Sequence, residues 1–339
     1  MLLRKVTYLI ALFSYYLCKL EALNLRIVDR GSQLKERGRH VSRSLLHARA
    51  TGKDVVTSDV FSLESIRATL IRQEETIIFA LIERAAFRKN AAIYDASYGG
   101  REQGKLTNER GESVSLLEWM LKETEKLHAK VRRYTSPEEH AFFPDTLPEP
   151  ILQPLDFPDL LLVDSKKVSD VNSDIMQWYT GKILKRLCIE GDDEQYGSST
   201  MCDIACLQAI SRRIHYGKFV AESKYLDSPD KYRQLVADKD TIGIIELLTN
   251  VEVEKKVLRR AHAKASTYGQ DIGVAGPLQD GNVGYKVDPK LISDIYRDMI
   301  IPLTKDVEVR YLYNRAGAMA PPSHTYIEKC RGPDDVDFD

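Results

Sequence analysis

The run Ser211-Arg212-Arg213-Ile214-His215-Tyr216-Gly217-Lys218-Phe219-Val220-Ala221-Glu222-Ser223-Lys224 decides how this chain folds. Ile214, Tyr216, Phe219 and Val220 recur at helical spacing, so the run predicts one helix. At roughly 100° per residue, Arg213 and Lys224 are nearly eclipsed and about 16 Å apart along one face. Gly217 sits mid-helix, where it costs about 1 kcal/mol against Ala. A helix that keeps such a glycine needs close approach by a neighbour or a ligand.

Outward from this run, composition sets the class. With 339 residues and 43% hydrophobic content, the chain can bury a large core. Its formal net charge of −1 excludes a general nucleic-acid binder, which needs a concentrated cationic surface. Leu, Ile, Glu, Lys and Ala fall in helix-period runs without long β-branched alternation, so the expected fold is all-α, a multi-helix bundle with no sheet of consequence. Cys18, Cys188, Cys202, Cys206 and Cys330 are odd in number and irregular in spacing, and read as packing cysteines rather than a disulfide framework or a metal site.

Residues 1–57 read as a targeting or disordered extension. Arg4 and Lys5 precede an apolar run from Val6 to Leu17 that is shorter than the ~20 residues a bilayer span needs, which matches a secretory signal. The next stretch, residues 24–54, is Arg-rich and acid-poor, as plastid or other organellar import segments are. The compartment is left open between these readings and a cytoplasmic one, and no membrane association is expected of the mature form.

Residues 58–315 read as one helical domain. Leu63, Ile66, Leu70, Ile77, Leu81 and Ile82 make the stripe of a long amphipathic helix. Ser115-Leu116-Leu117-Glu118 has the form of a capping box, and Ser136-Pro137-Glu138-Glu139 repeats it with proline in the first turn. Phe143 to Pro158 is a proline-studded connector. Further helices are expected at Asn172–Leu187, after Ser199, from Ser228, at Ile242–Leu248, up to Tyr268, and at Lys290–Arg315. The acids of Gly191-Asp192-Asp193-Glu194 read as a solvated turn, since adjacent carboxylates do not share a helix face. Residues 316–339, ending in Asp334, Asp335, Asp337 and Asp339, read as a disordered acidic tail.

Polar residues embedded in apolar helix faces give a short inventory: Arg67, Arg213, Lys224, Asn250, Glu254, Thr304 and Glu308. They make three cations, two carboxylic acids and two neutral hydrogen-bonding groups. Ser211 and His215 lie one turn apart without a residue to orient the imidazole, so a catalytic triad is not expected. No phosphate loop, dinucleotide fingerprint or zinc spacing is present. Such a set suits a small dianion whose reaction needs positioning and charge stabilisation.

Several blocks carry a family resemblance. They are Ile66-Arg67, Arg72-Gln73-Glu74-Glu75-Thr76-Ile77-Ile78-Phe79, Ser136-Pro137-Glu138-Glu139, Phe142-Phe143-Pro144, Cys206-Leu207-Gln208, Ser211 to Lys224 and Pro302-Leu303-Thr304-Lys305-Asp306-Val307-Glu308-Val309. In this order the chain resembles the all-helical chorismate mutases of plants and fungi, from about Ser58 to Arg315. Lys126-Leu127-His128-Ala129-Lys130 and Tyr285-Lys286-Val287-Asp288-Pro289 lean toward the plant branch.

The resemblance implies conversion of chorismate to prephenate by a concerted [3,3] rearrangement without a cofactor or metal, in phenylalanine and tyrosine biosynthesis. It implies that Arg67 and Arg213 hold the substrate carboxylates. Lys224 and a protonated Glu308 would donate to the ether oxygen, Glu254 would contact the hydroxyl, and Asn250 and Thr304 would complete the carboxylate shell. It further implies a homodimer regulated by tyrosine and tryptophan at an interface site matching Arg132, Arg133, Gly197 and Ser198. Met201 and Asp288 depart from the fungal pattern there, which leaves the sign of regulation open. The alternatives are an inactive regulatory protein of the same fold, a mutase secreted from its cell, and a metal-dependent prenyl-type helical enzyme. The first would have lost a site position and the last would need a second Asp-rich cluster; neither condition is met.

Overall fold

The apolar stripe that starts at Leu63 folds as helix α1 (Leu63–Ala85), with Ile77, Ile78 and Leu81 fully buried. It belongs to a computed structural model that describes residues 63–97, 106–153, 160–161, 165–270 and 284–338. The expected extension, residues 1–57, lies outside the described residues.

Local chemistry sets the helix starts. Ser115 and Glu118 cap each other in both directions at the head of α2 (Leu116–Lys130). Then come α3 (Asn172–Trp178), a π turn at Tyr179–Ile183, and α4 (Leu184–Leu187). Helices α5 (Tyr196–His215) and α6 (Gly217–Asp227) follow. Pro229 in its first turn opens α7 (Pro229–Ala237), and Asp240 caps α8 (Thr241–Leu248). Asn250 caps α9 (Val251–Tyr268) by accepting from the Val253 N–H. Asp288 caps α10 (Pro289–Ile295), which runs through a π turn at Tyr296–Ile300 into α11 (Ile301–Arg315). Among the described residues there is no strand, only the isolated bridges Thr107–Ser113 and Gln270–Tyr285.

Two apolar clusters form the interior. The larger draws on α1, α2, α3, α5, α9, α10 and the start of α11; the smaller joins α6, α7, α8 and the end of α11. Helix α11 spans both, with Val307 in the first and Val309 in the second. The residue between them is Glu308, which places a carboxyl group at the seam. One buried ion pair locks α1 onto α5: Arg84 Nε donates to Asp203 Oδ1 at 2.6 Å, both side chains fully buried. The Tyr94 and Tyr179 hydroxyls donate to the same carboxylate at 2.7 and 2.8 Å, so its lone pairs are used.

Three expectations need correction. The run Ser211–Lys224 is two helices, not one, because the chain turns at Tyr216 between α5 and α6. Ser136-Pro137-Glu138-Glu139 starts no helix. Its carbonyls go to lysines instead: Lys166 Nζ donates to the carbonyls of Ser136 and Glu139, as it does to that of Tyr134, and the buried Lys218 Nζ donates to that of Pro137 at 2.8 Å. The acidic tail is ordered. Tyr326 and Cys330 are buried in the smaller cluster, and the aspartates pair with cations of α9 and α10–α11. Charge composition indicated disorder, but buried apolar residues at Tyr326 and Cys330 outweigh it.

Candidate active site

The close approach anticipated at Gly217 comes from α11. A Cβ there would lie 2.9 Å from Thr304 Cγ2 and 3.1 Å from the Thr304 carbonyl oxygen. Glycine therefore lets α6 and α11 meet backbone to backbone. This contact brings Lys224 from α6 and Glu308 from α11 into one region.

Glu308 is the centre of that region. Burial pushes its pKa up, while Lys224 and Lys305 pull it down, Glu254 adds to the rise and Arg213 opposes it. Charged side chains from four helices thus lie within electrostatic reach of one carboxyl group: Arg213 from the end of α5, Lys224 from α6, Glu254 from the first turn of α9, and Lys305 from α11. Arg213 is buried, and its Nε and Nη1 have no hydrogen-bond partner in the protein. These two buried guanidinium donors are available to an anionic ligand such as a carboxylate. Lys224 Nζ donates to the carbonyl of Leu248, the last residue of α8, which fixes its ammonium beside the α9 start.

The remaining expected residues are less fully assembled. Thr304 backs against Gly217, and its hydroxyl donates to the Ile300 carbonyl at 2.6 Å. Asn250 is exposed and spends its carbonyl oxygen on the α9 cap, leaving its NH2 to donate. Arg67 lies on the exposed side of α1, and the structure does not bring it into the cluster.

Sequence reasoning missed three neighbours. Lys305 is buried and its Nζ lies 2.8 Å from Glu254 Oε1. Glu74 is fully buried on α1 and takes a two-point grip from Arg260 of α9, at 2.7 and 2.5 Å. Tyr296, in the π turn, has a buried hydroxyl without a partner and feels Glu74, Arg213 and Arg260. Lys305 was findable, since it stands between the expected site residues Thr304 and Glu308. Glu74 and Tyr296 left no such signal, because their role depends on which helices become neighbours.

Ser211 Oγ lies 3.1 Å from His215 Nδ1, and Asp170 Oδ1 lies 3.5 Å from His215 Nε2, but the groups are spent on structure. Ser211 Oγ donates to Asn172 Oδ1 at 2.6 Å, and the His215 ring bridges the Ser211 carbonyl and the Val171 N–H at 2.8 and 3.1 Å. His140, Asp170 and His215 bring ligand-type atoms within 4.8 Å of one another. Both imidazoles are already committed, however: His140 Nε2 accepts from Lys218 Nζ at 2.6 Å, and His215 Nε2 from Val171. Burial lowers the Lys218 pKa to about 7, which suits a structural donor in a dry cluster and opposes a cation.

The expected effector positions fall in two patches. Arg133 is held by Glu139 at 3.1 Å and by Gln208 Oε1 at 2.8 Å, while Arg132 Nη1 donates to the Gln153 carbonyl at 2.5 Å. Gly197 and Ser198 are exposed in the first turn of α5. They precede Gln208 by about three turns, roughly 16 Å along the helix.

The chain is 42% identical to the chloroplastic chorismate mutase 1 of Petunia hybrida over 294 residues, which is 86% of this chain and 88% of that protein. This chain belongs to the chorismate mutase family. The sequence pattern of chorismate mutase type II matches residues 195–309, the span that carries Arg213, Lys224, Glu254 and Glu308. The crystal structure of the Candida albicans chorismate mutase Aro7p, a complex with L-Trp, superposes with a TM-score of 0.68 at 40% identity, covering 80% of this chain and 96% of that one. AtCM1 with tyrosine bound in its allosteric site superposes at 0.65 with 44% identity, covering 76% and 98%. Relatives of this mutase include chloroplastic, cytosolic and fungal forms.

Proposed function

We propose that this mutase rearranges chorismate to prephenate in the seam between its two apolar clusters, using Arg213, Lys224, Glu308 and Glu254. The orphaned, buried guanidinium of Arg213 beside Glu308 is the observation that carries the reading. Arg213 would take one substrate carboxylate in two hydrogen bonds. Arg67, now exposed, would swing over the other. Holding both selects the folded diaxial conformer, in which the carbons that bond approach each other. As the C–O bond breaks, negative charge grows on the ether oxygen. Lys224 donates to it, and so does Glu308 in its protonated form, which burial favours. Fixed donors at such an oxygen are worth about 3–4 kcal/mol each. The Glu254 carboxylate, steadied by Lys305, accepts from the substrate hydroxyl. Asn250 donates through its NH2, and Thr304 joins it by rotating its hydroxyl off Ile300.

Regulation by aromatic amino acids is proposed at Arg132, Arg133, Gly197 and Ser198. Because these residues are separated within one chain, the proposal needs a second copy whose patch would complete each half. Leu127, Val131 and Met201 are exposed near these residues in sequence and suit the apolar part of that homodimer contact. The Arg-rich residues 24–54 are proposed to direct import into a plastid, and a fluorescent fusion of residues 1–58 tests that reading against secretion and cytoplasmic retention.

The test of the activity is direct. Purified protein should deplete chorismate and form prephenate at the same rate with and without EDTA. No turnover ends the proposal, and turnover that chelation abolishes transfers it to a metal enzyme.

A further inference from the structure

The segment after α11 returns across the catalytic helices. On α11, Asp306 points away from the site, roughly 200° around the helix from both Thr304 and Glu308. It is fully buried, and its carboxylate is shared between α11 and the returning segment. Arg310 binds it at 2.8 Å, Ser323 Oγ donates at 2.8 and 2.9 Å, and the Tyr326 hydroxyl donates at 2.5 Å. Cys330 follows, fully buried and within electrostatic reach of Lys305, Asp306, Glu308 and Glu254. Gly332 then lies flat on the helix: its N–H donates to the Arg297 carbonyl at 3.1 Å, and a Cβ would sit 3.3 Å from Arg297 Cα. The last residues track α9. Lys255 pairs with Asp335 at 2.8 Å, Arg259 donates to the Asp337 carbonyl at 3.2 Å, and the Phe338 ring stacks on His262 with centroids 4.5 Å apart. Positions 255, 259 and 262 share one face of α9, the helix whose first turn carries Glu254.

We propose that residues 321–338 form a positioning strap for catalysis, one that holds α9 and α11 in the register that sets Glu254, Lys305 and Glu308 around the substrate. The inference rests on the mutase reading of that site. It assigns a catalytic contribution to residues beyond the span matched by the family pattern, which ends at Val309. The acidic composition has a physical purpose here, because Asp334 and Asp335 meet Arg297 and Lys255 where the strap lands. The strap residues act through Asp306, the Arg297 carbonyl and the side chains of α9 rather than by touching substrate.

The test compares the full chain with a chain ending at Ala320 and with the full-length variants Tyr326→Phe and Gly332→Val. Turnover is measured well below the melting temperature of each. Misplacing reacting groups by ~1 Å can cost up to about 10² in rate, so kcat should fall at least tenfold in the truncated chain and in Gly332→Val, with a smaller loss in Tyr326→Phe. A peptide of residues 321–339 added in trans should restore part of the truncated chain's kcat. A merely structural strap would lower the melting temperature and leave kcat and KM as they are, and that result overturns the proposal. If the truncated chain does not fold, Gly332→Val decides by the same criterion, read at a temperature where its helical signal is intact. An intact chain without chorismate turnover strikes the mutase reading itself and takes this inference with it.

Discussion

Lys305 Nζ and Glu254 Oε1 stand 2.8 Å apart, with their side chains only 7% and 13% exposed. This pair ties the first turn of α9 to α11 one turn before Glu308. It also puts a cation beside an acid whose proton the proposed chemistry needs. Lys305→Met removes one of the two cations that hold the Glu308 pKa down most strongly. The alkaline limb of the kcat profile should therefore move to higher pH, while KM rises about tenfold as Glu254 loses its partner. Lys305→Arg should keep the limb in place. Steady-state kinetics across pH on both variants checks this.

Glu308 itself sets a direction of pH dependence. Its folded pKa is raised by burial, so the protonated donor is present on the acid side and is lost as pH climbs through that value. The stability contribution has the same sign: present in full below the unfolded pKa and lost as pH rises through the folded one. Glu308→Gln keeps an N–H donor at every pH. Its kcat should show no alkaline fall, and a persisting fall would assign the titration to another group.

Lys224 and Ser211 separate a catalytic donor from a structural one. Lys224→Ala should cost about 10²–10³ in kcat, the usual loss for a donor at a developing oxyanion. Ser211→Ala removes a hydrogen bond to Asn172 and a contact with His215, and should lower stability by about 1 kcal/mol with kcat within a few-fold. Equal losses would take Lys224 out of the site.

At Gly217, alanine places a methyl group into Thr304. Overpacking of this kind costs about 1–3 kcal/mol. The displaced helices carry Lys224 and Glu308, so kcat should drop about tenfold in protein that is still folded. Thermal melts and kinetics on the same preparation distinguish the two effects.

Arg84→Ala strands Asp203, a fully buried carboxylate, with only tyrosine donors. Breaking a buried pair from one side costs about 3–5 kcal/mol. Denaturant unfolding should show that loss, and Arg84→Ala/Asp203→Asn should recover part of it.

The helices were legible because each carries its own signal. The stripe of α1, the box at Ser115, the prolines at the heads of α7 and α10 and the caps at Asp240 and Asn250 act over a few residues. The Ser136 box misled because its carbonyls are claimed by Lys166 and Lys218 from segments 30 and 81 residues away. No local pattern could register that competition. Arg213, Lys224, Glu254 and Glu308 come into one region through the helix register that sequence spacing describes. Arg67 and Asn250 do not yet face the cluster, because exposed side chains at helix margins are set by ligand and solvent rather than by packing.

By itself, then, the sequence determined the helical class, the identity of the acid and the cations, and the glycine that admits a close neighbour, since each is a property of residue type at short range. Only the tertiary structure decided that Lys305 steadies Glu254, that Glu74 and Tyr296 crowd the site, and that the acidic tail lies down along α9 instead of fraying. Those outcomes depend on which buried charges meet across distant segments, and desolvation makes such meetings decisive without leaving any periodicity to read.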